Sequence, residues 1–107
     1  MSLSQTLVEL CAADEVAEGE IRRGELPCGH GLAIYQVDGQ FYVTDDICSH
    51  GEASLSEDGS LDGHEVECSW HFGRFDIRTG AALNEPADVP VATYRVKVEA
   101  GEVFVEA

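Results

Sequence analysis

Two runs of period-two alternation, each folded back by a two-residue turn, constrain this 107-residue chain more than any other feature. Leu32-Ala33-Ile34-Tyr35-Gln36-Val37 and Phe41-Tyr42-Val43-Thr44 are rich in β-branched and aromatic side chains, and Asp38-Gly39 between them is a strong hairpin signal. Toward the other end Tyr94, Val96 and Val98 alternate with Arg95, Lys97 and Glu99, and Ala100-Gly101 turns the chain into Val103-Phe104-Val105. Shorter strand candidates are Leu7 to Leu10, Glu20 to Arg23 and Val66 to Cys68. Only Ala12 to Ala17 leans toward helix, and a stretch that short does not hold a helix alone. The expectation is an all-β, antiparallel fold. At this length the chain supports one modest core, so residues 1–107 are read as a single domain without repeats or linkers.

Between about Asp46 and Pro90 the texture changes. Glycines at 51, 59, 63, 73 and 80 and prolines at 86 and 90 break every regular period, which reads as loop-built structure. A long irregular stretch inside a small domain is usually functional, and this one carries the chemistry. Cys48-Ser49-His50 and Cys68-Ser69-Trp70-His71 each offer one thiol and one imidazole, with seventeen residues between His50 and Cys68. Gly51 follows the first pair and Gly73 the second, where a backbone without Cβ can approach a bound group and turn its amides toward it. Two such loops make a four-ligand site, for which there are two candidates. Zinc takes two cysteines and two histidines tetrahedrally, usually with longer spacers within the histidine pair, and a 2Fe-2S cluster can replace two thiolates on one iron by two histidines.

Cys48-Ser49-His50-Gly51 with Cys68-Ser69-Trp70-His71-Phe72-Gly73-Arg74-Phe75-Asp76 resembles the paired Rieske signature, and in particular that of the small ferredoxins serving aromatic-ring-hydroxylating dioxygenases. The likeness extends to Ala53-Ser54-Leu55-Ser56, Gly59, Gly63, Val66-Glu67, Thr79-Gly80, Pro86-Ala87 and the terminal hairpin from Val91 to Val105. It implies Rieske-like antiparallel sheets, a β-sandwich base carrying a cluster-binding portion over about 46–90. It also implies one Rieske-type 2Fe-2S cluster held by Cys48, His50, Cys68 and His71. The chain would then be a soluble one-electron carrier and not itself an enzyme, taking electrons from a ferredoxin reductase and passing them to a terminal oxygenase. His50 and His71 would form the exposed port through which the electron enters and leaves, and Pro86 and Pro90 would shape a third loop over the cluster. Trp70 would cover the cluster or contact the partner. A Rieske-like subunit of another redox system, or a zinc-stabilised interaction module, would share many of these residues.

Two neutral imidazoles in place of two thiolates leave the oxidised cluster about neutral, which eases reduction. High-potential relatives in respiratory complexes add a disulfide between the loops and a serine and a tyrosine that hydrogen-bond the sulfurs. The matching positions here are Ala53, Trp70, Gly73 and Phe75, none of which supplies such a group. Glu52, Glu57, Asp58, Asp62, Glu65 and Glu67 add negative charge near the loops, so the expected potential is low, about -150 mV.

Three further candidates fall outside the quartet. Cys28-Gly29-His30-Gly31 repeats the Cys-x-His-Gly pattern but runs straight into a strand, and thirty-seven residues separate His30 from Cys68. A packed cysteine and an ordinary loop histidine are expected there. His64 has no cysteine partner and reads as a solvated turn residue, and Cys11 as a small core or surface thiol that could pair with Cys28 only in an oxidising compartment. With 21 Asp plus Glu against 6 Lys plus Arg, the formal charge of -15 repels phosphate backbones and anionic bilayers, so neither nucleic acid nor membrane is an expected partner. No basic-then-apolar leader opens the sequence and no run reaches membrane-spanning length, so a cytoplasmic monomer is expected.

Overall fold

A computed structural model of the chain describes residues 7–27, 29–47, 54–68, 73–83 and 90–106. Within them the strands run β1 (Leu7–Ala12), β2 (Ile21–Glu25), β3 (Gly31–Val37) and β4 (Gln40–Asp45). The one-turn helix α1 (Leu55–Asp58) follows, then β5 (Gly59–Asp62), β6 (Glu65–Cys68), β7 (Arg74–Asp76), β8 (Thr93–Tyr94), β9 (Val96–Glu99) and β10 (Glu102–Glu106). They form three antiparallel sheets, ordered β1-β10-β9, β2-β3-β4-β8 and β5-β6-β7. The helical leaning of Ala12 to Ala17 is realised as a single 3-10 turn, Ala13–Glu15.

The apolar run in β3 has no polar face, and the fold uses both of its faces. Alternate side chains go opposite ways along a strand. Ala33, Tyr35 and Val37 join Leu55, Val66, Phe75, Ile77 and Val91 in one buried cluster. Leu32 and Ile34 join Cys11, Val16, Val43, Val103 and Val105 in another. The four-stranded sheet is therefore a middle layer, with the small β5-β6-β7 sheet on one side and the terminal β1-β10-β9 sheet on the other. A bulge between Glu9 and Cys11 lets consecutive residues Leu10 and Cys11 both pack into the second cluster.

A hydroxyl pair sits within this interior. Tyr35 is fully buried, and desolvation raises its phenol far above the ordinary value, so it stays protonated and donates to Thr44 Oγ1 at 2.8 Å. Thr44 in turn donates to the Asp45 carbonyl at 2.9 Å. A satisfied pair of this kind contributes about 1 kcal/mol.

Both anticipated hairpins close as two-residue turns. Val37 pairs with Gln40 around Asp38 (φ 55) and Gly39 (φ 75), and Glu99 pairs with Glu102 around Ala100 (φ 52) and Gly101 (φ 78). The first is clamped from outside: the Glu18 carboxylate accepts from Asp38 N at 2.6 Å and Gly39 N at 3.1 Å.

The middle of the chain holds more regular structure than its glycines suggest. Gly63 (φ 60) and His64 turn a tight β5–β6 hairpin closed by Asp62 and Glu65, and β7 adds a third strand through Glu67 and Arg74. Ser54 caps α1 by accepting from Glu57 N at 3.2 Å. The chain then returns to the edge it left: Asp45 N donates to Ala92 O at 2.9 Å, and β8 pairs with β4. Gly80 governs that return. It has φ 80, its carbonyl accepts from Val91 N at 2.9 Å, and a Cβ there would lie 2.0 Å from Val91 O. Gly80→Ala should therefore destabilise the fold by roughly 3 kcal/mol, from left-handed strain plus overpacking, as read by urea unfolding.

Candidate metal centre

The structure places the anticipated ligands unevenly. Cys48, His50 and His71 lie outside the described residues. Cys68 is the last residue of β6, its backbone opposite Gly59. What the described residues do show is how both stretches that carry the candidate ligands are anchored.

The first stretch leaves from Ile47 and returns at Ser54, and these two residues bridge to each other. The second leaves from β6 and re-enters at β7, where Glu67 faces Arg74. Only α1 separates Ser54 from Gly59, the partner of Cys68, so roughly 6 Å of helix joins one anchor to the other. Gly59 permits this closeness, since a Cβ there would sit 2.5 Å from Leu55 O and 3.1 Å from Val66 Cγ2. A third stretch, carrying Pro86 outside the described residues, departs after Leu83, whose N donates to Arg74 O at 2.8 Å. It ends at the exposed Pro90.

Asp46 stands at the head of the first stretch and is fully buried. Its Oδ2 accepts from Arg23 Nη1 at 2.8 Å and Ser54 Oγ at 2.7 Å, and its Oδ1 from Ser56 N at 2.8 Å. Its carbonyl accepts from Leu55 N at 2.6 Å. Nothing in the sequence pairs Arg23 with Asp46 across 23 positions. Ser54 was within reach of sequence reasoning, because Ser54-Leu55-Ser56-Glu57 has the spacing of a helix-capping box.

The acidic residues near the second stretch are partly offset. Arg74 lies 3.0 Å from Glu65, 3.6 Å from Asp62 and 3.8 Å from Glu67, and the Glu65 hydrogen bond is the leading reason its guanidinium is held more firmly charged. The local field is thus less negative than the bare count of carboxylates implies. Glu52 lies outside the described residues.

His30 and His64 have other partners. His30 Nε2 donates to Asp45 Oδ1 at 2.7 Å, an oxygen that also accepts from Tyr94 OH at 2.5 Å. Cys28 lies outside the described residues. Cys11 is a free, buried thiol whose pKa is pushed up chiefly by desolvation, the opposite of what ligation or oxidation needs. His64 is a turn residue, but half-buried and not fully solvated: its ring meets Tyr42 edge to face at 5.7 Å. Among the described residues no group of three or more His, Cys, Asp or Glu is placed to hold a metal ion. No helix among them is long and apolar enough to cross a membrane.

The donor set fits a 2Fe-2S cluster: two thiols suit one iron and two imidazoles the other, on stretches whose anchors one helical turn holds together. Comparisons with known proteins agree. The Rieske [2Fe-2S] domain family matches residues 6–95. The ferredoxin component of the p-cumate 2,3-dioxygenase system of Pseudomonas putida is 69% identical over 100 residues, covering 94% of this chain and 85% of that one. Among solved structures, the ferredoxin of Sphingomonas yanoikuyae B1 superposes with a TM-score of 0.90 at 40% identity, over 95% of this chain and 99% of its own. A chain in the complex of reduced oxygenase and oxidized ferredoxin of carbazole 1,9a-dioxygenase gives 0.88 at 44% identity, over 96% and 94%.

Arg74→Gln should lower the melting temperature at low ionic strength, with a deficit that shrinks as salt screens Asp62, Glu65 and Glu67 from one another. Thermal melts across a salt series check this.

Proposed function

The chain belongs to the Rieske [2Fe-2S] domain family, and from that premise we propose that it carries single electrons from a ferredoxin reductase to the terminal oxygenase of a multicomponent aromatic-ring dioxygenase. The observation that carries this reading is the 69% identity to a ferredoxin component of such a system. The acceptor placed first is therefore an oxygenase of the p-cumate type. The site is assigned to the cytoplasm, where a reductase and an oxygenase would meet it.

Cys48 and Cys68 would hold one iron and His50 and His71 the other, within a cluster-binding portion spanning about 46–90. When bound, the 2Fe-2S cluster takes up and returns one electron. The chain's own residues set where and how readily that happens. Imidazoles at positions 50 and 71 bring no negative charge, and they would form the port through which the electron enters and leaves. Phe75 is fully buried and Gly73 is buried, and neither has a hydroxyl to donate to the sulfurs, which keeps the potential low. A charge of -15 favours fast, salt-sensitive association with basic faces on the partners, through an interface small enough to release after each transfer.

Two measurements check these assignments. Reduction with dithionite should bleach the brown protein and give the EPR signal of a histidine-ligated 2Fe-2S centre, with a midpoint of about -150 mV. His50→Cys and His71→Cys should each change that signal, and an unchanged spectrum in both would remove the ligand assignment, as a midpoint above zero would remove the low-potential reading. In the second, p-cumate dioxygenase oxygenase and its reductase should consume NADH in step with substrate when this chain is the only carrier. No turnover with that oxygenase, against turnover with a different one, would shift the acceptor.

A further inference from the structure

The Cys28-Gly29-His30-Gly31 stretch, so similar to a ligand pair, contributes something other than a ligand. A Cβ on Gly31 would lie 2.9 Å from Arg23 Nη2 and 3.2 Å from both Cζ and Nη1, so the guanidinium occupies the space a side chain would need. From there Arg23 reaches the buried Asp46 at 2.8 Å and Glu25 at 3.2 Å. Asp46 N donates back to Gly31 O at 3.1 Å. The empty side of Gly31 is thus what lets an arginine from β2 reach the residue that opens the first ligand stretch.

Asp46 also holds the far end of that stretch, through Ser54 Oγ, Ser56 N and Leu55 N. Both carboxylate oxygens and the carbonyl are occupied by donors from two sides: one from the sheet, three from the residues that follow the loop. Pinning both ends of a connection to one buried group fixes the separation and orientation of its two anchors. We propose that Arg23 and Asp46 are a positioning pair for the metal centre, fixing the geometry in which the 47–53 stretch presents Cys48 and His50. This rests on the reading of those two residues as ligands. In this reading neither Arg23 nor Asp46 is a ligand; they would act through the stretch they anchor, as outer groups orient inner ligands in other metal sites.

The test uses cluster-loaded protein and variants that separate position from charge. Gly31→Ala and Gly31→Val crowd the guanidinium and alter no charge. Arg23→Lys keeps the charge and loses the fork, and Asp46→Asn keeps the shape and loses the charge. Expected are cluster loss under a chelator roughly tenfold faster than in the parent, and shifted EPR g values in the reduced state, larger for Gly31→Val than for Gly31→Ala. Val103→Ala, in the terminal sheet, serves as a control that lowers the melting temperature and leaves both readouts unchanged. Parent-like g values and loss rates in Gly31→Val, Arg23→Lys and Asp46→Asn, or changes no larger than those of Val103→Ala, would overturn the positioning role. Should Asp46→Asn fail to fold, the Gly31 pair decides alone. A parent protein without a histidine-ligated signal would overturn the ligand reading, and the positioning role with it.

Discussion

The fold depends on burying one strand from both sides. β3 offers apolar side chains up and down, so a single partner sheet would leave one row of them in water. At about 25 cal/mol per Å² of apolar surface, that exposure would be hard for so short a chain to absorb. The solution recruits both ends of the sequence: the terminal strands cover Leu32 and Ile34, and the middle of the chain covers Ala33, Tyr35 and Val37. The stretches that carry the candidate ligands are anchored partly on that second cover. Their anchors consequently rest on the same core as the central strand, with Leu55 and Phe75 as shared members.

What could be read from residues alone follows from which interactions are local. Both long hairpins were legible because alternation and turn residues sit within a dozen positions of each other. The family was legible because the spacing of Cys48, His50, Cys68 and His71 is a chemical signature. The small sheet was mostly hidden: β7 has three residues, and β5 starts on one glycine and is followed by another, both of which read as breakers although the first is a strand residue and only the second makes the turn. Tertiary pairing, not propensity, makes them strands. The partner of Asp46 was invisible for a plainer reason, as a long-range ion pair leaves no mark on either residue's neighbours.

The false ligand pair shows how one pattern can serve two ends. In Cys48-Ser49-His50-Gly51 the reading assigns cysteine and histidine to metal. In Cys28-Gly29-His30-Gly31 the histidine is drawn to Asp45 and the final glycine clears room for Arg23. Asp45 and Asp46 are neighbours on the chain, so the 29–31 turn packs beside the residues that lead into the 48–53 stretch. The sequences look alike, and the difference lies in what each loop faces.

The short pairing of β8 with β4 has a consequence for how the molecule comes together. Its register comprises only Val43 with Tyr94 and Thr44 with Thr93, yet it closes the whole stretch between Asp45 and Thr93. Holding the ends of so long a segment together costs roughly 3 kcal/mol of chain entropy, more than two ladder pairs return. The edge can zip only after the core beneath Val91 has condensed. In the order of assembly this ladder is therefore a late event, following the long-range contacts that bring its two strands together, while the local hairpin after it closes on its own.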